Sequence, residues 1–374
     1  MRVLFINSFL YFGSTGRIAY NQALEYEKEG HEVKIAYGRK TGIPDFAMKY
    51  GHRIGNDLGV YFHLFYTRLF DKHGLASKKA TEQFLKWATE YDPDVLWIHN
   101  IHGYFINYEM LFDWIKTRPN MQVKWTLHDC WTFTGHCAHF MSCGCNKWKE
   151  QCYDCPQIRT YPSGLFIDSS RENYRRKKAA FTGVNDMTII TPSNWLKNLV
   201  KESYLKEYPV QVVYNTINTN IFKPGESDFR KNNHLEKKKI LLGVASVWGP
   251  KKGLDDFVTL SRGLNPEEYA IVLVGVNKKQ IKMLKKSAPE IIAIERTSDV
   301  QQLVGLYSES DLFINPTYED TYPTVNLEAE ACGTPVITYN VGGCPETIRD
   351  PRSMAIEPGV KNITDALETF FQQR

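Results

Sequence analysis

Residues 313–347 read FINPTYEDTYPTVNLEAEACGTPVITYNVGGCPET, and the order of residue types in this stretch decides the fold. An apolar strand over Leu312–Asn315 gives way to an acidic loop, a proline-led helix start, and a second apolar strand over Pro335–Thr338. Asp320 stands in the loop before Pro323, and Glu328 falls about one turn inside the helix that Pro323 opens. Proline at a first helical position is pre-organised and leaves its neighbours' N–H groups free. Those donors, here around Thr324 and Val325, combine with the positive end of the helix dipole into an anion site between two carboxylates. A diphosphate suits the donors, and hydroxyl-rich sugars suit the carboxylates.

At 374 residues the chain is long for one core and fits two domains. Short apolar runs alternate with amphipathic segments throughout, which predicts parallel sheets covered by helices, an α/β class with two Rossmann-like halves. The first half carries strands at 3–7, 33–37, 95–99, 123–127, 188–191 and 210–214, with helices at 17–30, 108–116 and 195–204. The second half repeats the pattern from Ile240. Between them lie Asn215–Pro224 and a polar run to Lys239, so the boundary is placed at 1–217 and 218–374. A last amphipathic helix is expected over 362–373. A hydrophobic content of 43% with 24% charged residues is that of a globular protein, and a net charge of +4 is too small by itself to argue for nucleic acid. The chain opens directly on the strand Arg2–Asn7 with no apolar run long enough to span a bilayer, from which a cytoplasmic location is expected.

The motif Asp320-x7-Glu328, followed by Ala331-Cys332-Gly333-Thr334-Pro335-Val336-Ile337 and Val341-Gly342-Gly343-Cys344-Pro345-Glu346, resembles the E-x7-E signature of retaining glycosyltransferases of family 4, whose fold is GT-B. The resemblance implies two Rossmann-like domains facing each other across a cleft, with a final helix that crosses back to the first domain. It assigns Asp320 to the donor hexose and Glu328 to the ribose hydroxyls. Aspartate replaces the usual first glutamate, and Thr321-Tyr322-Pro323 replaces the usual Gly-Phe-Gly.

Three further motifs follow strands. Gly13 and Gly16 sit in a loop that opens a helix but do not form GxGxxG, which disfavours a dinucleotide oxidoreductase. They read as a plain strand-to-helix turn or, by the resemblance, as the glycine loop near the donor phosphates and the acceptor. Lys252-Gly253 can set an ammonium on a leaving diphosphate, where charge develops, and matches the second half of the family's Arg-x4-Lys-Gly element. Val247 holds the arginine position. Lys251 is either a second cation for the diphosphate or a solvated lysine. Thr126-Leu127-His128-Asp129 is similar to the T-x-H-D element, which implies His128 against the donor sugar. Asp129 either orients His128 or the acceptor hydroxyl, or caps the following loop. His99-Asn100-Ile101-His102-Gly103, at another strand end, offers Asn100 and His102 as acceptor-wall candidates, or else two histidines, His99 and His102, bonded to backbone.

Six of the eight cysteines fall between Cys130 and Cys155. In a reducing compartment such a cluster more often binds metal than forms disulfides. Cys137, Cys145, Cys152 and Cys155 can supply four thiolates to a tetrahedral, structural zinc. Cys143 competes with Cys145, and His136 or His139 with a thiolate. A zinc-knuckle nucleic-acid module is the other reading, but no basic stripe adjoins this insertion (about 130–156), so no nucleic-acid partner is expected. Residues 52–74 carry Tyr61, Phe62, Leu64, Phe65, Tyr66, Leu69 and Phe70 among basic residues. These form either a core face or an interfacial surface toward a lipid-linked acceptor.

The resemblance implies an enzyme: hexosyl transfer with retention from a nucleotide-sugar, UDP favoured over GDP. Lys252 and the dipole at Thr324 would take the role of a divalent ion, so no catalytic metal is expected. The cysteine block and the NPTYEDTYPTVNLEA form look similar to bacterial glycosyltransferases of exopolysaccharide, capsule and colanic-acid synthesis. That similarity implies a glycan or polyprenyl-diphosphate-linked acceptor and peripheral contact with the inner face of the membrane. A non-catalytic nucleotide- or sugar-binding protein of the same fold is the alternative.

Overall fold

Strands buried on both faces must be apolar along their whole length rather than at alternate positions, and Val3-Leu4-Phe5-Ile6 is completely inaccessible to solvent. The computed structural model describes residues 1–372, which divide into two compact units, 1–214 and 215 onward. The last expected helical residue, 373, lies outside the described residues.

The first unit is built on seven parallel strands: β1 (Arg2–Phe9), β2 (Glu32–Arg39), β3 (Gly51–Arg53), β4 (Val95–Ile98), β5 (Gln122–Thr126), β6 (Met187–Thr191) and β7 (Val210–Val212), in the order β3-β2-β1-β4-β5-β6-β7. Parallel pairing requires crossovers, and helices such as Gly13–Lys28, Tyr108–Lys116 and Asn194–Glu202 supply them. One cluster containing Leu4, Ile6, Leu96 and Ile98 packs one face of the sheet, and another containing Val3, Phe5, Ile35 and Trp97 packs the other. Chain order reverses direction between β1 and β4, which makes the carboxyl ends of these strands a topological switch point.

The second unit repeats the plan with β8 (Lys239–Val244), β9 (Tyr269–Val274), β10 (Ile292–Ile294), β11 (Leu312–Asn315), β12 (Val336–Tyr339) and β13 (Met354–Ile356), ordered β10-β9-β8-β11-β12-β13. Its switch point lies between β8 and β11. The helix Val360–Gln372 turns Ile363, Ala366, Leu367 and Phe370 into this unit's core, and Phe371 meets Tyr269 edge-on at 5.8 Å.

The reading of residues 52–74 as a core face is corrected by the structure. In the helix Asp57–Phe70 the buried residues are His63 and Thr67, whereas Leu58, Tyr61, Phe62 and Phe65 are all more than 60% exposed. The cause is a hydrogen-bonding seam. The His63 ring nitrogens bond the Ser77 hydroxyl at 2.8 Å and the Gly74 N–H at 3.1 Å, and Thr67 donates to the His63 carbonyl at 2.9 Å. A satisfied polar seam can be buried where an unsatisfied one cannot, and here it turns the aromatic side outward.

Candidate functional site

In the second unit, the loops after β8 and β11 are stitched together before any charge is placed. The Tyr318 N–H donates to the Lys251 carbonyl at 2.9 Å, and Gly253 adopts φ +73° where a Cβ would stand 2.4 Å from the Pro316 carbonyl oxygen. Only glycine allows both that conformation and that approach. On this frame two consecutive lysines meet two consecutive acids. Lys251 Nζ lies 2.5 Å from Glu319 Oε2, and Lys252 Nζ lies 2.7 Å from Asp320 Oδ2. Burial opposes the charge on Lys252, but the Asp320 carboxylate outweighs it and raises the ammonium's pKa. Lys252 is therefore a fixed cation at neutral pH.

Asp320 is shaped by its own loop. The Tyr322 N–H donates to its Oδ1 at 3.2 Å, and the Gly343 N–H donates to its carbonyl at 3.2 Å. At Gly342, φ is +61° and a Cβ would fall 2.0 Å from that same carbonyl oxygen, so the loop after β12 closes on the acid loop only because this position is glycine. The helix Thr324–Ala331 starts one residue later than the sequence suggests. Pro323, at φ −69° and ψ 114°, is the extended residue preceding it. Glu328 lies one turn in, buried, with the Tyr307 hydroxyl donating to its Oε2 at 3.1 Å. Thr324 and Val325 form the first turn, whose N–H groups have no carbonyl one turn earlier in the helix to accept from them. Val247, at the position of the family's arginine, is 74% exposed.

The first unit gathers its candidates at the ends of β1, β4 and β5. The Ser8 hydroxyl donates to the Asn100 carbonyl at 2.9 Å, and the Asn100 N–H donates to Asn7 Oδ1 at 3.2 Å. The helix expected from Arg17 already begins at Gly13, which has φ +73°, and a Cβ on Gly16 would stand 2.7 Å from the Tyr11 backbone. Both glycines are thus required by the turn itself. His128 Nε2 and His99 Nδ1 are 3.0 Å apart, while His102 Nε2 lies 2.9 Å from Asp129 Oδ2. The Trp131 N–H donates to Asp129 Oδ1 at 2.9 Å. Asp129 therefore orients His102, and caps the following turn, rather than holding His128. Burial pushes the His128 imidazole down to about 4 and that of His99 well below its usual range, so both are neutral hydrogen-bonding groups. Burial works against the Asp129 carboxylate, yet His102 beside it holds it below the usual carboxylate range. Tyr161 completes this edge, its hydroxyl 3.0 Å from His102 Nδ1.

The cysteine-rich stretch lies between β5 and the helix Ser170–Phe181 and contains only three short 3₁₀ turns. All eight cysteines of the chain are free thiols. Cys137, Cys143, Cys145, Cys152 and Cys155 line one cavity of about 10 Å³. Among the described residues no three His, Cys, Asp or Glu side chains stand together at metal-ligand geometry. Nearby, Lys177 is buried, donating to the Trp131 carbonyl at 2.7 Å and the Thr134 carbonyl at 3.1 Å, and desolvation lowers its pKa to about 7.

Comparison with known proteins places this arrangement. The profile described as Glycosyltransferase Family 4 matches residues 15–221, and that described as Glycosyl transferases group 1 matches residues 225–374. The chain belongs to glycosyltransferase family 4. WcaC of Escherichia coli, named for colanic acid biosynthesis, is 22% identical over 273 residues, covering 69% of this chain and 62% of that protein. A Campylobacter jejuni N,N'-diacetylbacillosaminyl-diphospho-undecaprenol alpha-1,3-N-acetylgalactosaminyltransferase is 28% identical over 181 residues, 46% of each chain. The alignments thus span less than two thirds of these curated relatives. The structure of HepE from Anabaena in complex with UDP superposes with a TM-score of 0.66 at 15% identity, over all of this chain and 90% of that one, and shows the shared GT-B fold.

Sequence reasoning missed Glu319, Lys251's engagement with it, and Tyr307. The signal for the first two was present in the doublets, since Lys251-Lys252 and Glu319-Asp320 are offset by the same single residue. Tyr307 carried none, being one of the chain's 21 tyrosines, on an amphipathic helix.

Proposed function

We propose that this family-4 chain transfers a hexose from a nucleotide-sugar, UDP-linked by preference, to a glycan or polyprenyl-diphosphate-linked acceptor in bacterial surface-polysaccharide synthesis. The carrying observation is the pair of lysines cross-bonded to Glu319 and Asp320 beside the start of the helix that holds Glu328. A diphosphate entering there meets Lys252, with Lys251 beside it, and the helix dipole at Thr324 and Val325. Glu328, oriented by Tyr307, would accept from the ribose hydroxyls, and Asp320 from the hexose.

In this reading the leaving diphosphate is stabilised by fixed cations and dipoles already in place, which takes the role that a divalent ion would otherwise play. Retention needs no protein nucleophile if the departing phosphate takes the acceptor's proton on the face it leaves. His128, neutral at working pH, donates to a sugar hydroxyl. Asn100, His102 and Asp129 form the acceptor wall, and Gly13 and Gly16 let backbone approach. The UDP complex of HepE supports the nucleotide, and the name of the Campylobacter relative supports a lipid diphosphate acceptor.

A peripheral membrane seat on the cytoplasmic side accords with that acceptor. The exposed aromatic side of the helix Asp57–Phe70 lies in a segment, 39–79, with eight Lys or Arg against three Asp, whereas the whole chain carries only +4. Aromatics flanked by excess positive charge match an anionic bilayer surface.

The test is a panel of UDP- and GDP-sugars, first for thermal stabilisation and then for transfer to polyprenyl-diphosphate acceptors. Ligand binding to the folded form alone raises Tm. One UDP-sugar should stabilise and be consumed, and Glu328→Ala should abolish both effects. Stabilisation without turnover on any acceptor would favour a binding protein, and no stabilisation by any nucleotide-sugar would sink the reading.

A further inference from the structure

A stretch of about forty residues without α-helix or strand is unusual inside a packed domain and calls for something that holds it. The stretch 127–169 is nonetheless well buried at Cys137, Phe140 and Trp148. No disulfide crosses it. We propose that Cys137, Cys145, Cys152 and Cys155 bind a single structural zinc ion that staples this segment.

Three features of the geometry carry the proposal. The four cysteines, together with Cys143, line one cavity of about 10 Å³, too small for an organic ligand and of the scale of one ion. The Cys152–Cys155 turn is already shaped for two ligands. Asp154 takes the left-handed conformation at φ 44°, Lys147 Nζ donates to the Tyr153 and Asp154 carbonyls at 3.0 Å each, and the Cys155 N–H donates to Asp168 Oδ2 at 2.6 Å. A C-x2-C turn held in this way is the usual half of a tetrahedral thiolate site. Finally, an N–H donor and a cation already stand at the site. The Gly135 N–H donates to Cys152 Sγ at 3.1 Å, and Lys147 borders the cavity.

As they stand, Cys137 and Cys155 hydrogen-bond to each other, and the set is not drawn to ligand distances. Binding turns the four side chains inward and releases their four thiol protons, leaving a tetrathiolate around Zn²⁺. Cys143 is not a ligand. It is exposed, and its sulfur is engaged by the Gln157 side-chain amide at 3.0 Å and the Phe140 carbonyl at 3.3 Å.

Metal analysis of the full chain, purified with reductant and without chelator, should find about one zinc per molecule, released when an organomercurial titrates the thiols. Cys143→Ser should keep the metal, while Cys145→Ser and Cys152→Ser should lose it. Because those two variants can fail to fold, cobalt exchange into the unmodified protein is the second arm, and it should give the spectrum of tetrahedral thiolate-bound Co²⁺. Zinc at background with eight titratable thiols, a disulfide among the four, or an octahedral cobalt spectrum would each overturn the site. None of these outcomes bears on sugar transfer, so the two readings fail separately.

Discussion

The two units use the same layout for opposite electrostatic ends. Each places its candidate residues after the strands at and beside its switch point, β1, β4 and β5 in one and β8 and β11 in the other. In the second unit those loops carry full charges in contact, Lys251 with Glu319 and Lys252 with Asp320. In the first, His99 and His128 are neutralised by burial and bonded to each other. One edge is therefore suited to an anion and the other to uncharged hydroxyls. The scaffold determines where chemistry sits, and the loops determine its sign.

If that contrast is right, the largest effect comes from removing the charge. Lys252→Ala should lower kcat on the preferred donor by about 10²–10³-fold, the usual cost of losing one preorganised stabilising group. Turnover within about tenfold of the parent, roughly 1.4 kcal/mol, would show that the lysine is a structural partner only.

Next comes the shape of the acid loop. Gly342→Ala puts a methyl group against the Asp320 carbonyl at positive φ, so Asp320 must move. Donor KM should rise at least about tenfold with a measurable drop in Tm. Gly144, also at positive φ but with nothing within 4 Å of its Cβ position, is the control, and Gly144→Ala should cost only a small loss of Tm. Equal effects at the two sites would refute the packing argument.

The histidine edge is probed by pH. An unfolded histidine titrates near 6.5, whereas burial takes His128 to about 4 and His63 to about 3, with His99 and His73 also well below their usual range. Between those limits the unfolded chain binds more protons than the folded one. Stability from these groups is complete above about pH 6.5 and is lost as pH falls through 4 toward 3. Melting curves should therefore drop steeply below pH 6.5, with a shallower slope in His99→Gln. A flat Tm from pH 6.5 to 4.5 would contradict neutral imidazoles.

The smallest effect sharpens the comparison. Val247→Arg restores the family's cation at an exposed position, and donor KM should fall by about tenfold or less, within the range of one charge-assisted hydrogen bond. No change would mean that this loop does not reach the diphosphate.

Much of this was legible because parallel strands and their following loops leave strong marks. The helix Tyr108–Lys116 and the strand Leu312–Asn315 are found where the sequence puts them, to the residue, since apolar spacing and flanking polar residues agree there. The three-residue edge strands β3 and β13 were not visible. They are only partly buried and carry no long apolar run. The helix Ser170–Phe181 was missed because six of its twelve residues are Arg, Lys or Glu, and its buried side includes Asn173 and Lys177. At the sites, strand ends announced Asp320, Glu328 and His128. The pairing of Asp129 with His102 depends on loops that meet only after folding.

The crossed lysine and acid doublets have one more consequence. Each ammonium already touches a carboxylate, so a neutral sugar approaching alone finds both cations spoken for. Only a group charged enough to displace a carboxylate can claim them. On the proposed function, the doublets would therefore favour the diphosphate-bearing form of a sugar over the free one.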